Sequence, residues 1–142
     1  MKQILLIIVF VILFSSIKGQ QNNIDTIICQ FAEDMPEYPG GDLELYKYIA
    51  LNYNAPDNDC FVSFIRFSFV IEKDGTISNK EVIINNNNIS LRIGNENIEV
   101  CKQAWIKAGL DLLNKMPNWI SGKNNSENVR VKITIPLHLD PQ

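Results

Sequence analysis

Three cysteines and one histidine are the residues whose side chains could act as nucleophile and base: Cys29, Cys60, Cys101 and His138. A cysteine attacks as its thiolate and needs a base beside it, so the arrangement to weigh is Cys101 with His138. Their positions argue against it. Cys101 falls on the apolar face of a predicted helix, where a thiol is inert, and His138 falls on the outer face of a predicted strand. One histidine excludes the HExxH zinc motif, and the chain holds no CxxC, no glycine-rich phosphate loop and no GxSxG elbow. Glu33-Asp34 and Asp57/Asp59 are paired carboxylates, but both pairs stand beside turn residues and read as solvated surface rather than as general acid and base. Asn88-Ile89-Ser90 and Asn124-Asn125-Ser126 match the N-x-S glycosylation pattern, which is short enough to arise by chance. The residues therefore predict a protein that is not an enzyme and uses no cofactor or metal.

The cysteines speak to compartment instead. Residues 1–3 are a short positive start, residues 4–14 are an unbroken apolar run, and Ser15, Ser16, Lys18 and Gly19 turn small and polar. That is the layout of a secretory signal peptide over residues 1–19, with a short signal anchor as the other reading. Export leaves 11 basic against 16 acidic residues, a balance that disfavours nucleic acid as a partner. In an oxidising compartment three cysteines form at most one internal bridge. Cys60–Cys101 and Cys29–Cys60 are the candidates, and buried free thiols are the alternative.

The elements that would position these residues follow from periodicity. Residues 20–33 read as a lead-in, β-friendly from 24 to 31. Pro36, Pro39 and Gly40-Gly41 deliver the chain into a helix at residues 43–52, with Asp42 as its N-cap. Its apolar residues fall on two stripes: Leu45, Tyr48, Ile49 and Tyr53, then Leu43, Tyr46 and Ala50. Residues 61–72 alternate as one long strand, with Ile65, Phe67, Phe69 and Ile71 on one face. Asp74-Gly75 predicts a two-residue hairpin into a return strand at 76–84. Residues 85–88 read as a polar loop. A second helix at 97–115 carries Ile98, Cys101, Trp105, Ala108 and Leu112 on one face. Residues 119–128 read as a loop. The last strand has Val129, Val131, Ile133, Ile135, Leu137 and Leu139 inward and Arg130, Lys132, Thr134 and His138 outward. Pro136 lacks a ladder N–H, which predicts an edge. A three-stranded antiparallel sheet with both helices packed on one face, an α+β layer pair, buries all these stripes.

Three blocks of sequence carry a resemblance: "MPEYPGGDLELYKYIALNYNAP", "IRFSFVIEKDGTISNKEVI" and "MPNWISGKNNSENVRVKITIPLHL". Over residues 34–140 the chain resembles the carboxy-terminal domain of TonB-type energy transducers, in the form common in Bacteroidetes. Here it is a single-domain form without the family's proline-rich spacer. Ser121 and Ser126 stand where the family pattern has proline and glycine. The resemblance implies a non-enzymatic domain of the periplasm or cell envelope that serves energised transport. It would bind the TonB-box peptide of an outer-membrane transporter by strand addition on its last strand. The residues this assigns are Val129, Arg130, Val131, Lys132, Ile133, Thr134, Ile135, Pro136, Leu137, His138 and Leu139, with Arg130 and Lys132 to attract an acidic peptide. ExbB/ExbD-like inner-membrane proteins join the expected partners if the amino-terminal segment stays uncleaved. The alternative is a secreted domain without a transducer role that pairs its own edges into a homodimer.

Overall fold

The structure, a computed structural model, describes residues 26–56, 60–91 and 97–140. The signal segment and the Asp57/Asp59 pair lie outside the described residues. In chain order the elements are β1 (Ile28–Cys29), α1 (Asp42–Asn52), β2 (Cys60–Val62), β3 (Phe64–Ile71), β4 (Ile77–Ile83), a 3-10 turn (Asn86–Asn88), β5 (Ile89–Leu91), α2 (Ile98–Asn114), β6 (Gly122–Asn124) and β7 (Glu127–His138).

The α+β class holds, but the sheet is larger than three strands and is mixed. Its order is β1-β7-β3-β4, with β6 paired to β7, and β2 and β5 form a separate two-stranded sheet. β1 runs parallel to β7; the other pairings are antiparallel. The predicted strand at 61–72 is split at Ser63, whose N–H and hydroxyl both donate to the Asn88 carbonyl. That bend sends β2 to pair with β5, which lies just past the predicted polar loop. The predicted loop at 119–128 likewise contains β6, joined to β7 through Asn125 and Ser126.

β3 is the spine of the core. Ile65, Phe67, Phe69 and Ile71 are fully buried and belong to one cluster with Leu45 and Ile49 of α1 and Cys101, Trp105, Leu112 and Leu113 of α2. The Tyr48 hydroxyl ties the helices by donating to the Leu112 carbonyl at 3.0 Å. On α2 the buried face includes Gly109, where a Cβ would come within 2.8 Å of Val82 and 2.9 Å of Phe67. Only a glycine lets the helix approach the sheet so closely at that point. Ile98, expected on the buried face, is exposed. Asn97 caps α2, its side-chain oxygen accepting from the Glu99 N–H at 2.9 Å.

Two details of α1 differ from expectation. Gly41, not Asp42, is its N-cap, and Asp42 opens the first turn, where an acid favours the positive end of the helix dipole. The second stripe is not buried: Leu43 is 78% exposed and Tyr46 56%, because only one side of α1 meets the core.

The β3–β4 connection is also longer than two residues. The Glu72 N–H bonds to the Thr76 carbonyl and the Gly75 N–H to the Glu72 carbonyl, so Lys73, Asp74 and Gly75 form a three-residue loop. Gly75 takes φ 84°, and a Cβ there would fall 2.1 Å from the Trp119 carbonyl oxygen. Its own carbonyl accepts from the Trp119 N–H at 2.8 Å.

Candidate functional site: the open edge of the last strand

The phase of the β3–β7 ladder is set at its end, where the Leu139 N–H donates to the Ser63 carbonyl at 3.0 Å. Hydrogen-bonded and non-hydrogen-bonded pairs alternate in an antiparallel ladder. Counting back through the unbroken register, residues 131, 133, 135 and 137 turn their backbone groups toward β3. Residues 130, 132, 134, 136 and 138 turn theirs the other way. Pro136, opposite Arg66, therefore lacks its N–H on the side away from β3 and costs the sheet no ladder bond.

That far side is only partly covered. Val131 is registered with both Ile71 of β3 and Cys29 of β1, so β1 and β3 flank β7 on opposite sides. β1 pairs with Arg130 and Val131 alone, and Val129 is registered with Gly122 of β6. From residue 132 to residue 138 no strand pairs with the outer side of β7 among the described residues. The edge expected over residues 129–139 thus narrows to 132–138. Leu139 lies past the strand, bound to Ser63.

β7 is not the sheet's one open margin. β4 ends the strand order on the opposite side, with no strand beyond it among the described residues. Its ladder with β3 shifts register between Ser68 and Val70, and Asn79 takes φ 46°. Such a bulge twists an edge away from further pairing. Helix α2 adds a tether, since Lys80 Nζ donates to Asn114 Oδ1 at 3.0 Å.

The side chains along β7 divide as the alternation requires. Val131 and Ile135 are buried, and Ile133, Leu137 and Leu139 pack half-buried against the core. Lys132, Thr134, Pro136 and His138 are exposed. His138 packs its ring on Phe64 at 4.6 Å, and the Arg66 guanidinium lies 5.9 Å from the centre of the same Phe64 ring. Arg130 does not have the expected role. Its Nε and Nη2 donate to the two oxygens of Glu72 at 2.6 and 2.9 Å, and the Ser78 hydroxyl donates to the same carboxylate. The guanidinium holds the Glu72 carboxyl below its ordinary value, burial opposes this, and Ser78 assists. Arg130 arrives at the edge already neutralised, leaving Lys132 as the strand's cation toward solvent. Alternation carried the signal for this pair, because Glu72 and Arg130 lie on the outward face one position beyond the Ile71–Val131 register pair.

The other chemical candidates resolve into structure. Cys60 and Cys101 are disulfide-bonded, which takes the Cys101 sulfur out of any pairing with His138, and Cys29 is the free thiol. The Glu33 N–H donates to Asn124 Oδ1, a Glu33 carboxylate oxygen accepts from the Asn125 N–H, and Asp34 exchanges backbone bonds with Lys123. These groups fasten the lead-in to the β6–β7 hairpin. The two Met-Pro phrases also meet: Glu37 and Ile120 exchange both backbone bonds, and Tyr38 sits edge-on to Trp119 at 5.5 Å. Both aromatics are buried.

No protein-family model, curated protein or solved structure matches the chain. The reading of the edge rests on its geometry and on the sequence motifs.

Proposed function

We propose that this is a non-enzymatic peptide-binding domain of the TonB carboxy-terminal type. It takes up an extended peptide as an added strand on residues 132–138 of β7. The observation that carries this reading is the half-paired strand: β7 is paired with β3 from Val131 to His138, and among the described residues β1 covers the other side of that stretch no further than Val131. An incoming strand gains main-chain bonds from the Lys132 carbonyl and from the outward groups of Thr134 and His138, while the Lys132 N–H faces the Cys29 carbonyl of β1, and the Lys132 side chain favours acidic side chains. At Pro136 it finds an acceptor and no donor.

The partner in this reading is the TonB-box peptide of an outer-membrane transporter, in the periplasm or cell envelope. The buried Cys60–Cys101 bridge supports an oxidising compartment. ExbB/ExbD-like proteins are partners if the amino-terminal segment remains as an anchor. A second reading, a secreted self-associating domain, is favoured by the exposed Leu43, Tyr46 and Leu51 of α1. Sedimentation together with mapping of the interface separates the two, since a tight dimer that blocks residues 132–138 supports the second.

The direct test is NMR titration of residues 20–142 with TonB-box peptides. The expected shifts cluster at 132–138. Shifts confined to β4, or none on β7, would remove the proposal.

A further inference from the structure

β1 occupies the one stretch of the β7 margin that adjoins the open run. Resting on the edge reading above, we propose that β1 is a displaceable strand that competes with the incoming peptide for β7. Three observations carry this.

First, β1 is short and weakly seated. It has two registered residues, both half-buried, between Ile27 at 61% exposed and Phe31 at 83% exposed. A cleft of about 210 Å³ lined by Ile27, Cys29, Lys73, Asn124, Val129 and Arg130 opens beside it, so its side chains do not meet a closed wall. Few buried apolar contacts mean a low free energy of local opening.

Second, the chain just after β1 is anchored independently. Asp34–Lys123 and Glu37–Ile120 exchange four backbone bonds of 2.8 to 3.1 Å, and Glu33 adds its contacts to Asn124 and Asn125. β1 can lift at residues 30–32 while helix α1 and the paired phrases stay in place.

Third, β1 and the peptide would want the same row of groups. The outward side of β7 runs through residues 130, 132, 134, 136 and 138, and Pro136 removes one donor from the open part. A peptide confined to 132–138 meets a short ladder with that gap. Lifting β1 adds Arg130 to the row. Apparent affinity is then lowered by the fraction of molecules in which β1 is seated.

The experiment uses two variants and one probe. The probe is a synthetic ten-residue peptide of alternating valine and threonine after two aspartates, long enough to run from position 138 past 130. Cys29→Pro removes a β1 backbone N–H and releases the strand. Val131→Cys places a second thiol opposite Cys29, its register partner, and oxidation locks β1 down. Cys29→Ser with Val131→Cys is the unlocked control for the buried substitution. The release variant is expected to bind the probe about tenfold more tightly than the unmodified protein, and the locked form about tenfold more weakly than its control. NMR shifts should reach Arg130 in the release variant and stop at Lys132 in the locked form. Equal affinities in all forms, with shifts still on 132–138, would overturn the competition and leave the edge reading standing. No shift on β7 in any form, the release variant included, would overturn both.

Discussion

Glu72 and Arg130 show how one pair of residues ties strand geometry to a measurable pH dependence. Their side chains are 23% and 19% exposed, so the pair is shielded but not sealed from water. The Glu72 carboxyl sits below its ordinary value of 4.5, chiefly through the hydrogen bonds from Arg130. A depressed carboxyl contributes stability that is fully present above its unfolded value and is lost as pH falls through its folded value. Urea unfolding at pH 7 and pH 3 should therefore show a loss on acidification that Glu72→Gln reduces. Arg130→Met, at pH 7, leaves the carboxylate without its cation, with the Ser78 hydroxyl still donating to it, and should cost about 1–2 kcal/mol. It should also make the margin of β7 more acidic and weaken binding of an acidic peptide. An Arg130→Met protein as stable as the original would show that the pair is worth nothing net.

The hairpin between β6 and β7 carries an element-scale prediction. Asn125 and Ser126 take φ 49° and 66°, and Asn124 is registered with Glu127, so a two-residue turn with two left-handed positions joins the strands. Asparagine tolerates that conformation; serine does so less well, and glycine is the preferred second residue. Ser126→Gly should stabilise the domain by about 0.5–1 kcal/mol, read as a rise in the urea midpoint with unchanged slope. No change in midpoint would mean that the turn is held by its neighbours, Glu33 among them, rather than by its own preference. This hairpin also marks the limit of what sequence could tell. β3, β7 and the two helices are long enough to express a period, and all four were legible. β1, β2, β5 and β6 have two or three residues each, too few for alternation, and are defined only by their partners. Pro136 predicted an edge strand, whereas β7 lies between β1 and β3 in the sheet order, and among the described residues only its stretch from 132 to 138 has no strand on the side away from β3. It could not say that β1 covers the start of that side, nor that Arg130 would already be paired. The second stripe of α1 misled for the same reason: periodicity shows which residues share a face, and only the packing shows whether that face is covered.

At the scale of the whole molecule, stability and the candidate edge are built in different places. The Cys60–Cys101 bridge joins β2 to α2 across 41 residues of chain, within the core cluster that holds Trp105, Phe67 and Leu112. β7 is bonded to β3 on one side, and its open run faces away from β3 and lies outside that loop. Closing a loop of 41 residues restricts the unfolded chain by about 4 kcal/mol in the entropic account, with measured native bridges worth about 2–5. The double replacement Cys60→Ser, Cys101→Ser should lower the unfolding free energy by that order. The serine hydroxyls enter a buried site, which pushes the loss toward the upper end. Peptide affinity at β7, measured where the variant is still folded, should stay within about twofold, because a global loss of stability lowers affinity only as far as it depletes the folded state. A large fall in affinity with the fold intact would mean that the bridge shapes the edge through β3, and that the core and the margin act as one unit.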